Sequence, residues 1–310
     1  MEILCNFAPM TALAGEIRDF LMESGIDCVA ESCCGADVLI AGRKYVVPWP
    51  VMAMEQAQAR EHAALLEQLL KELAGPDATV VVITEDRWHR QGRMMRARLL
   101  AHLEVFIPMY ARNCEVRKID KETAAAFLRD NHSYGDAACR YRYGLYLKRY
   151  TGKWLEISRL ASLARNDSGG LLARNDSWVE PGSLVAVATF SNARKWQKGD
   201  KTIRSYEWTR YASLPGVRIS GGMGKMLQAF IMDQQPDDIM SYADLEWSEG
   251  SVYEQLGFAL EGRKEPVLFS IDEQWGRFPV RQEMTEIHES TRYFQNLGSN
   301  KYRLKMTEYK

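Results

Sequence analysis

The chain has 310 residues, of which 46% are hydrophobic and 26% are charged, and its formal net charge is −1. This composition is that of an ordinary globular protein and excludes disordered and fibrous classes. The small net charge excludes a strong overall field that would draw the whole protein onto nucleic acid or a membrane, but it is compatible with a local basic surface. The length is typical of roughly two domains.

The N-terminal residues show neither a basic region nor an apolar stretch of signal length, and no run approaches the roughly 20 apolar residues of a membrane span. None of the six cysteines sits in a Cys-x-x-Cys pair, and no histidine lies near Cys28, Cys33 and Cys34. We therefore expect a soluble cytoplasmic protein with reduced thiols, no metal and no membrane partner. The sequence does not indicate the oligomeric state.

The first hundred residues predict the element order α-β-β-β-α-β-α. Hydrophobic periodicity predicts a helix over 13–24 that ends at Gly25. The further predicted elements are strands at 27–31, 36–41 and 44–47, stopped by Pro48 and Pro50, then a helix at 53–74, a strand at 78–84 and a basic amphipathic helix at 87–103.

This order, together with VVVITEDRWHRQ (80–91), resembles the PD-(D/E)XK nucleases of the very-short-patch-repair type. Such nucleases bind magnesium through carboxylates, because that ion prefers hard oxygen ligands. Asp37 would be the first acid, but the third strand (44–48) carries none. The resemblance thus implies a degenerate nuclease-like domain over 1–106, without nuclease activity. The arginines of the helix at 87–98 would contact phosphate or form a solvated basic face.

After a proline-containing linker at 106–112, the chain predicts a second set of strands and helices. Strands are predicted at 114–119, 144–150, 183–190, 205–214 and 238–244, helices at 121–131, 223–235 and 249–257, and four late strands after residue 257. LARNDS occurs at 163–168 and 172–177, which we interpret as a duplicated loop. The basic, tyrosine-rich segment 138–153 would contact phosphates and bases, or form a two-sided strand with tyrosine inside.

The segment SYEWTRYASLPGVRISGGMGKML predicts a strand, a turn, a glycine loop and a helix. Glycines let the backbone approach a ligand, and a helix N-terminus offers free N–H groups and the positive end of a dipole. This combination suits a pyrophosphate or another anion. The candidate ligand-binding residues here are Arg218, Ser220, Gly221, Gly222, Gly224 and Lys225.

The segment SYADLEWSEGSVYEQLGF (241–258) and the element order over 114–272 resemble the GNAT acyltransferases. The resemblance implies a GNAT-like mixed sheet flanked by helices over 107–310, with acetyl-CoA or a related acyl donor. It also implies that Tyr253 protonates the leaving thiolate. The family's loop pattern is Arg/Gln-x-x-Gly-x-Gly/Ala, and the chain departs from it at Met223.

Several motifs, among them NHSYG (131–135), ISGGMGKML (219–227) and SYAD (241–244), resemble a GNAT-like module of phage and homing-type proteins. They also resemble the Mom proteins, which modify adenine in phage DNA. That resemblance implies that His132, Tyr134 and Asp244 converge on the glycine loop and that DNA is a partner.

Each candidate catalytic residue has an alternative structural interpretation. Glu207 would be a general base or a salt-bridge partner of Arg210 or Lys225, and Tyr253 a general acid or a packing side chain. Asp244 would be a base or a turn cap, and His132 an acid, base or ligand, or a helix cap. Tyr134, Arg210 and Tyr242 are the candidate substrate-binding residues.

The leading functional hypothesis is an enzyme, a GNAT-like transferase that acts on DNA or a nucleotide-linked amine. The second is a catalytically silent DNA-binding protein associated with homing or mobile elements. The third is an ordinary N-acetyltransferase of a small molecule or protein.

Overall fold

The computed structural model describes residues 10–75, 78–149, 179–280 and 291–306. Within these ranges the protein is mixed α/β, with seven α-helices and seventeen strands. The LARNDS repeat and the last residues of the segment 138–153 lie outside the described residues. Among the helices described, none combines the length and the apolar character that a membrane crossing requires.

In chain order the elements are α1 (Ala12–Glu23), β1 (Val29–Cys33), β2 (Ala36–Ala41), β3 (Lys44–Trp49), α2 (Gln56–Leu73), β4 (Thr79–Thr84), α3 (Glu85–Arg90), α4 (Gly92–His102), β5 (Ile107–Tyr110), β6 (Cys114–Lys118) and α5 (Lys121–Asn131). They continue with β7 (Tyr141–Leu147), β8 (Leu184–Phe190), β9 (Arg194–Lys198), β10 (Lys201–Ser213), β11 (Val217–Ser220), α6 (Gly222–Gln234), β12 (Asp238–Asp244), α7 (Ser251–Gln255), β13 (Ala259–Lys264), β14 (Leu268–Ile271), β15 (Arg277–Pro279), β16 (Arg292–Gln295) and β17 (Ser299–Lys305).

The chain forms two compact units that alternate along the sequence. The first unit comprises Met1–Met95, Asp244–Glu249 and Arg263–Ser299, and the second comprises Arg96–Ala243, Gly250–Gly262 and Asn300–Lys310. This division differs from the predicted single boundary between residues 106 and 107. The late segments join the first unit because Ile271, Phe294 and Leu297 share a hydrophobic core with Val47 and Leu66.

The first unit has the predicted element order, built on a sheet with strand order β1-β2-β3-β4. β1, β2 and β3 are antiparallel neighbours, whereas β3 and β4 run parallel. The prediction that Pro48 stops the third strand is wrong, since β3 continues to Trp49. Proline is tolerated there because the pairing of β3 with β2 ends at Val46, so at Pro48 β3 is paired only with β4.

The predicted basic helix at 87–103 is interrupted at Gln91 and forms α3 and α4. Arg87 does not lie on a solvated basic face, because it is buried and its guanidinium forms ion pairs with Asp244 and Glu246. Arg90 donates to the carbonyl of Gln274. Two of the arginines that were candidates for phosphate contact therefore stabilise the first unit instead.

The second unit is built on a sheet with strand order β13-β17-β12-β10-β8-β7-β6, with β9 paired to β10. On one face, Phe230 of α6 packs against Tyr143 and Phe190. On the other face, Leu128 of α5 packs with Val187. The arrangement agrees with the predicted mixed sheet flanked by helices.

For the second unit, the structure corrects one prediction and decides between the two interpretations of another. The segment 106–112 is not a linker, because Ile107–Tyr110 form β5, which pairs in parallel with β11. The segment around β7 forms a two-sided strand with tyrosine inside. Tyr143 is buried beneath α6, and its hydroxyl donates to Asp233. Its buried tyrosine is therefore not available for base stacking.

Candidate active site

The glycine turn lies between β11 and α6 in the second unit. Gly221 is the N-terminal cap of α6 and has φ +74°, a left-handed conformation that favours glycine. The amide of Lys225 is the first to donate to an i−4 carbonyl, that of Gly221 at 3.0 Å. Helix geometry provides no internal partner for the amides of residues 222–224, so this turn presents donors and a positive dipole end suited to an anion.

Close packing gives a second reason for glycine in this turn. A Cβ atom at Gly222 would lie 3.0 Å from both the Tyr211 hydroxyl oxygen and Ile219 Cγ2, and one at Gly224 would lie 3.2 Å from Leu256 Cδ2. Both distances are tighter than ordinary contacts. The glycines thus allow α6 to approach β10, β11 and the residues after α7, whether or not a ligand is bound.

Met223 is the position at which the turn departs from the GNAT pattern. Its side chain is half-buried and packs against the hydrophobic core of the second unit. The departure removes no backbone donor, since the amides of the first helical turn depend on the backbone conformation and not on this side chain.

The charged and polar residues around the turn differ in their environment. Lys225 Nζ donates to the carbonyl oxygens of Ala111 at 2.9 Å and Cys114 at 2.6 Å, so its ammonium ties α6 to the start of β6. Arg218 and Ser220 are exposed on β11. Of the predicted cations, Arg218 is therefore the one whose side chain remains at the surface beside the turn.

The strands β10 and β12 separate beside this turn. They pair in parallel at three positions, the last being Glu207 with Met240, although β10 continues to Ser213 and β12 to Asp244. At the same point the pairing of β10 with β8 shifts register between Trp208 and Arg210. A bulge of this kind turns a strand away from its neighbour, and backbone groups are left at the opening.

Tyr253 of α7 lies at this opening. The Ser241 hydroxyl is 2.9 Å from the Trp208 carbonyl oxygen and 2.8 Å from the Tyr253 hydroxyl. A serine hydroxyl has one proton and a carbonyl only accepts, so Ser241 donates to Trp208 and Tyr253 donates to Ser241. Burial raises the pKa of Tyr253, and the hydrogen bond with Ser241 only partly offsets this. The phenol is thus protonated at neutral pH, as a general acid must be.

Tyr253 also has the packing role that was its alternative interpretation. Its ring contacts Trp208, Phe258 and Tyr302, with centroid separations of 6.3, 5.5 and 5.3 Å. The two interpretations are compatible, because aromatic packing fixes the ring while the hydroxyl remains hydrogen-bonded.

Glu207 does not form the salt bridge that was its alternative interpretation. The predicted partner Arg210 donates instead to the carbonyls of Gly135 and Thr209, and Lys225 donates to carbonyls as described above. The backbone of Glu207 is fixed by two hydrogen bonds with Ser191, both 2.9 Å. Within the described part of the chain, its half-buried carboxylate has no ion pair.

Three further candidates meet at the end of α5. Arg210 Nε donates to the Gly135 carbonyl at 3.2 Å, and its guanidinium lies 5.8 Å from the centre of the Tyr134 ring. His132 caps α5, and its Nδ1 accepts from the Tyr134 amide at 3.1 Å. The structure thus brings His132, Tyr134 and Arg210 together, with His132 in the capping role that was one of its alternatives.

Asp244 belongs to the first unit by its packing. One carboxylate oxygen accepts from Arg87 at 3.3 Å and the other accepts from the Glu246 amide at 3.1 Å, so this side chain caps a turn and forms a partly buried ion pair. The convergence of Asp244 with His132 and Tyr134 on the glycine loop stays a prediction.

Tyr242, the remaining substrate-binding candidate, lines a groove of about 260 Å³ in the second unit. The other lining residues are Arg194, Trp196, Ser205, Met240, Lys301 and Arg303. Sequence reasoning missed Arg194 and Trp196. The available signal was the short run RKWQKGDK (194–201), in which cations flank an aromatic residue and a Gly-Asp turn.

The predicted nuclease remnant shows no cluster of magnesium-type ligands among the described residues. The Asp37 carboxylate accepts from the amide and the hydroxyl of Thr11, at 2.8 and 2.7 Å, and so holds the start of α1. The one group of three candidate ligands found in the described ranges is Cys33, Cys34 and Glu72. There the hydrogen bond to Glu72 raises the pKa of Cys34 to about 12, which keeps the thiol protonated.

No known protein-family profile matches this sequence, and no curated protein matches it. Among solved structures, YncA of Salmonella typhimurium, described as an acetyltransferase and solved with its cofactor acetyl-CoA, is 16% identical with a TM-score of 0.32. The match covers 64% of this chain and 96% of that one.

Two toxin–antitoxin structures are similar at the same level. A mutant AtaT toxin bound to the C-terminus of the AtaR antitoxin and to acetyl-CoA is 12% identical, with coverages of 59% and 93% and a TM-score of 0.26. The KacTA–DNA complex is 15% identical, with coverages of 59% and 92% and a TM-score of 0.25. Because the identities and TM-scores are low, we infer neither a family nor an activity from these likenesses.

Proposed function

We propose that the second unit transfers an acyl group from acyl-CoA to an amine in the manner of a GNAT enzyme. The observation that supports this most directly is the separation of β10 from β12 beside the N-terminus of α6, with the hydroxyl of Tyr253 at the opening. An opening between two parallel strands admits the extended arm of a thioester, and the helix terminus suits its diphosphate.

Donor binding would depend mainly on the backbone. The amides of residues 222–224 would bind the diphosphate of acyl-CoA, and the exposed Arg218 would add a positive charge nearby. We expected Lys225 to bind the ligand, but its ammonium donates to the carbonyls of Ala111 and Cys114 and so fixes the position of the helix.

In the proposed reaction the acceptor amine attacks the thioester carbonyl, a C–N bond forms and the C–S bond breaks. Glu207 would take the proton from the amine, a role for which its carboxylate is free of ion pairs within the described residues. Tyr253 would give its proton to the departing thiolate, and burial, which raises its pKa, keeps that proton in place until then. One proton is taken up and one is released, so the enzyme returns to its starting charge after proton exchange with water.

The acceptor is proposed to be DNA or a nucleotide-linked amine. Arg210 with Tyr134, and Tyr242 in the groove, are the residues proposed to contact it. Guanidinium and aromatic groups suit phosphate and base contacts respectively. His132 would position Tyr134 through its hydrogen bond to that residue's amide. Asp244 would contribute only if its ion pair with Arg87 opens.

Donor binding can be tested with two substitutions at Ser220, which is exposed on β11 next to Gly221. Ser220→Glu places a negative charge beside the proposed diphosphate site and should weaken acetyl-CoA binding by about tenfold or more. Ser220→Gln, of similar size and neutral, should change the affinity by less than about threefold. The measurement is isothermal titration calorimetry at low ionic strength. Equal affinities for the two variants would contradict the proposed site.

Two alternative functions remain as proposals. A catalytically silent DNA-binding protein would show no acetyl-CoA binding at all, and the engagement of Lys225 and Asp244 in structural contacts is the observation that favours it. An ordinary N-acetyltransferase would bind acetyl-CoA but not DNA. Mass spectrometry of DNA from cells that express the protein separates the leading hypothesis from both alternatives, since a new modified base is expected only from the leading one. Acetyl-CoA binding then separates the two alternatives from each other.

A further inference from the structure

A hairpin of the second unit carries a concentration of positive charge. It consists of β9 and the first residues of β10, joined by a turn at Gly199 and Asp200. Its cations are Arg194, Lys195, Lys198 and Lys201, and with Asp200 the segment 194–201 has four positive charges and one negative charge, a net charge of +3. All five residues of β9 are exposed, in a chain whose overall charge is −1.

The strand register sorts these residues onto two faces. Trp196 is opposite Ile203, Lys198 is opposite Lys201, and Arg194 is opposite Ser205. Because side chains alternate along a strand and opposed residues share a face, Arg194, Trp196, Lys198 and Lys201 lie together on one face. Lys195 lies on the other.

This face, hereafter the tryptophan face, continues into the groove described above. Arg194 and Trp196 line the groove together with Ser205 and Tyr242. Trp196 keeps 38% of its surface exposed, which is unusual for a tryptophan in a folded protein. Tryptophan is enriched at interfaces, because its side chain combines a large apolar ring with an N–H donor.

The charges at the base of the groove are balanced. Arg303 forms ion pairs with Asp238 and Glu261, and Lys301 pairs with Glu261. The net charge of +3 therefore lies on the hairpin, whose Arg194 also lines the groove. A fitting ligand has negative charge along the hairpin and a flat, uncharged group for the groove and Trp196.

We propose that the tryptophan face binds single-stranded nucleic acid, with phosphates beside Arg194 and Lys201 and a base stacked on Trp196. Unpaired bases present their flat faces, whereas those of a duplex are already stacked, so an exposed tryptophan between cations selects the single strand. An acidic peptide would satisfy the cations but not the indole. The inference stands whether or not the protein transfers acyl groups.

The test is fluorescence anisotropy of a labelled 15-nucleotide oligo-dT with the full chain, across a salt series. Arg194→Glu with Lys201→Glu should weaken binding at least about tenfold and should lower the slope of log affinity against log salt by at least about 1.4, because two phosphate contacts are lost. Trp196→Ala should weaken binding roughly 5- to 150-fold with little change in that slope.

Matched controls distinguish the effect of the tryptophan face on binding from the effect of the overall net charge. Lys195→Glu with Lys121→Glu changes the net charge equally, but Lys195 lies on the opposite face and Lys121 is exposed at the start of α5. Phe278→Ala removes another exposed aromatic side chain, one of the first unit. Both controls should stay within about threefold of the unmodified protein. Thermal melts check that every variant folds.

Three outcomes would overturn the proposal. The first is no binding of the oligonucleotide at the lowest salt, and the second is an equal loss for the double charge reversal and its control. The third is a preference for another ligand. It would be seen if a 15-base-pair duplex bound more tightly than the oligo-dT, or if poly-glutamate displaced the labelled oligo-dT as effectively as unlabelled oligo-dT does. Acetyl-CoA is absent from all these measurements, so failure of acyl-donor binding would not affect them.

Discussion

Gly250→Ala is the substitution with the most clearly defined structural consequence for the candidate active site. Gly250 is the N-terminal cap of α7, the helix that carries Tyr253, and it has φ +101°. A Cβ atom there would lie 2.4 Å from Tyr302 Cε2 and 2.9 Å from Ala243 Cβ. Because the Tyr302 ring stacks on Tyr253, with a centroid separation of 5.3 Å, any displacement of Tyr302 reaches the proposed acid.

The cost has two parts. A non-glycine residue in this backbone region is strained by about 1 to 2 kcal/mol. The overlap with Tyr302, which is 2% exposed and cannot swing into solvent, adds about 1 to 3 kcal/mol, as overpacking of a core does. The sum is about 2 to 5 kcal/mol, which corresponds to a fall in melting temperature of about 4 to 20 °C for a domain of this size.

Urea and thermal unfolding, followed by circular dichroism, measure this change. The matched control is Gly262→Ala, because Gly262 lies in β13 of the same unit and a Cβ atom there would meet nothing within 4 Å. That control should change stability by less than about 0.5 kcal/mol. Equal stabilities for the two variants would refute the proposed contact between Gly250 and Tyr302.

The remaining predictions concern a buried ion network and the proposed acid. Arg277→Met should destabilise the first unit by about 3 to 5 kcal/mol at neutral pH, because it leaves the buried carboxylates of Asp86 and Glu246 without their shared partner. Burial acts to raise the pKa of Asp86, but the hydrogen bond and charge of Arg277 outweigh it and hold this pKa below its ordinary value. Asp86 therefore adds stability at pH values above its unfolded pKa of about 3.9, and this contribution is lost as the pH falls through its folded pKa. The unfolding curves of the variant and of the unmodified protein should therefore converge below about pH 4. A stability difference that does not change with pH would contradict this. Tyr253→Phe keeps the ring but removes the hydrogen bond with Ser241, so it should cost only about 1 kcal/mol of stability and leave acetyl-CoA affinity unchanged. Thiol release from acetyl-CoA in the presence of an amine acceptor should fall by about 10²- to 10⁴-fold, and unchanged release would assign Tyr253 a packing role alone.

Most helices and strands could be predicted because their patterns are local. The bounds of α5 and β12 agree with the prediction at both ends. The Asp120 cap of α5 and the left-handed Gly221 before α6 are local signals of where a helix begins. The strands that were missed, β5, β9, β11 and β15, are all short. β5 and β11 gain their stability by pairing with each other although they are far apart in sequence, whereas β9 and β15 pair with the neighbouring strands β10 and β14.

Side-chain partners could not be predicted, because they depend on which segments meet. The sequence suggested that Glu207 pairs with Arg210 or Lys225, yet both cations bind backbone carbonyls. Nothing in the sequence indicated that Asp244 pairs with Arg87, which is 157 residues away. Spacing along a chain carries no information on such contacts.

The sequence by itself determined the order of the elements, the glycine turn before α6 and the tyrosine on α7, because each follows from periodicity, backbone freedom or motif within a few residues. Only the tertiary structure decided that the late strands return to the first unit, that β10 and β12 separate after Glu207, and that Arg194 and Trp196 share a face with the groove. These features arise from strand pairing and core packing between distant segments, where buried apolar area and hydrogen-bond register set the arrangement.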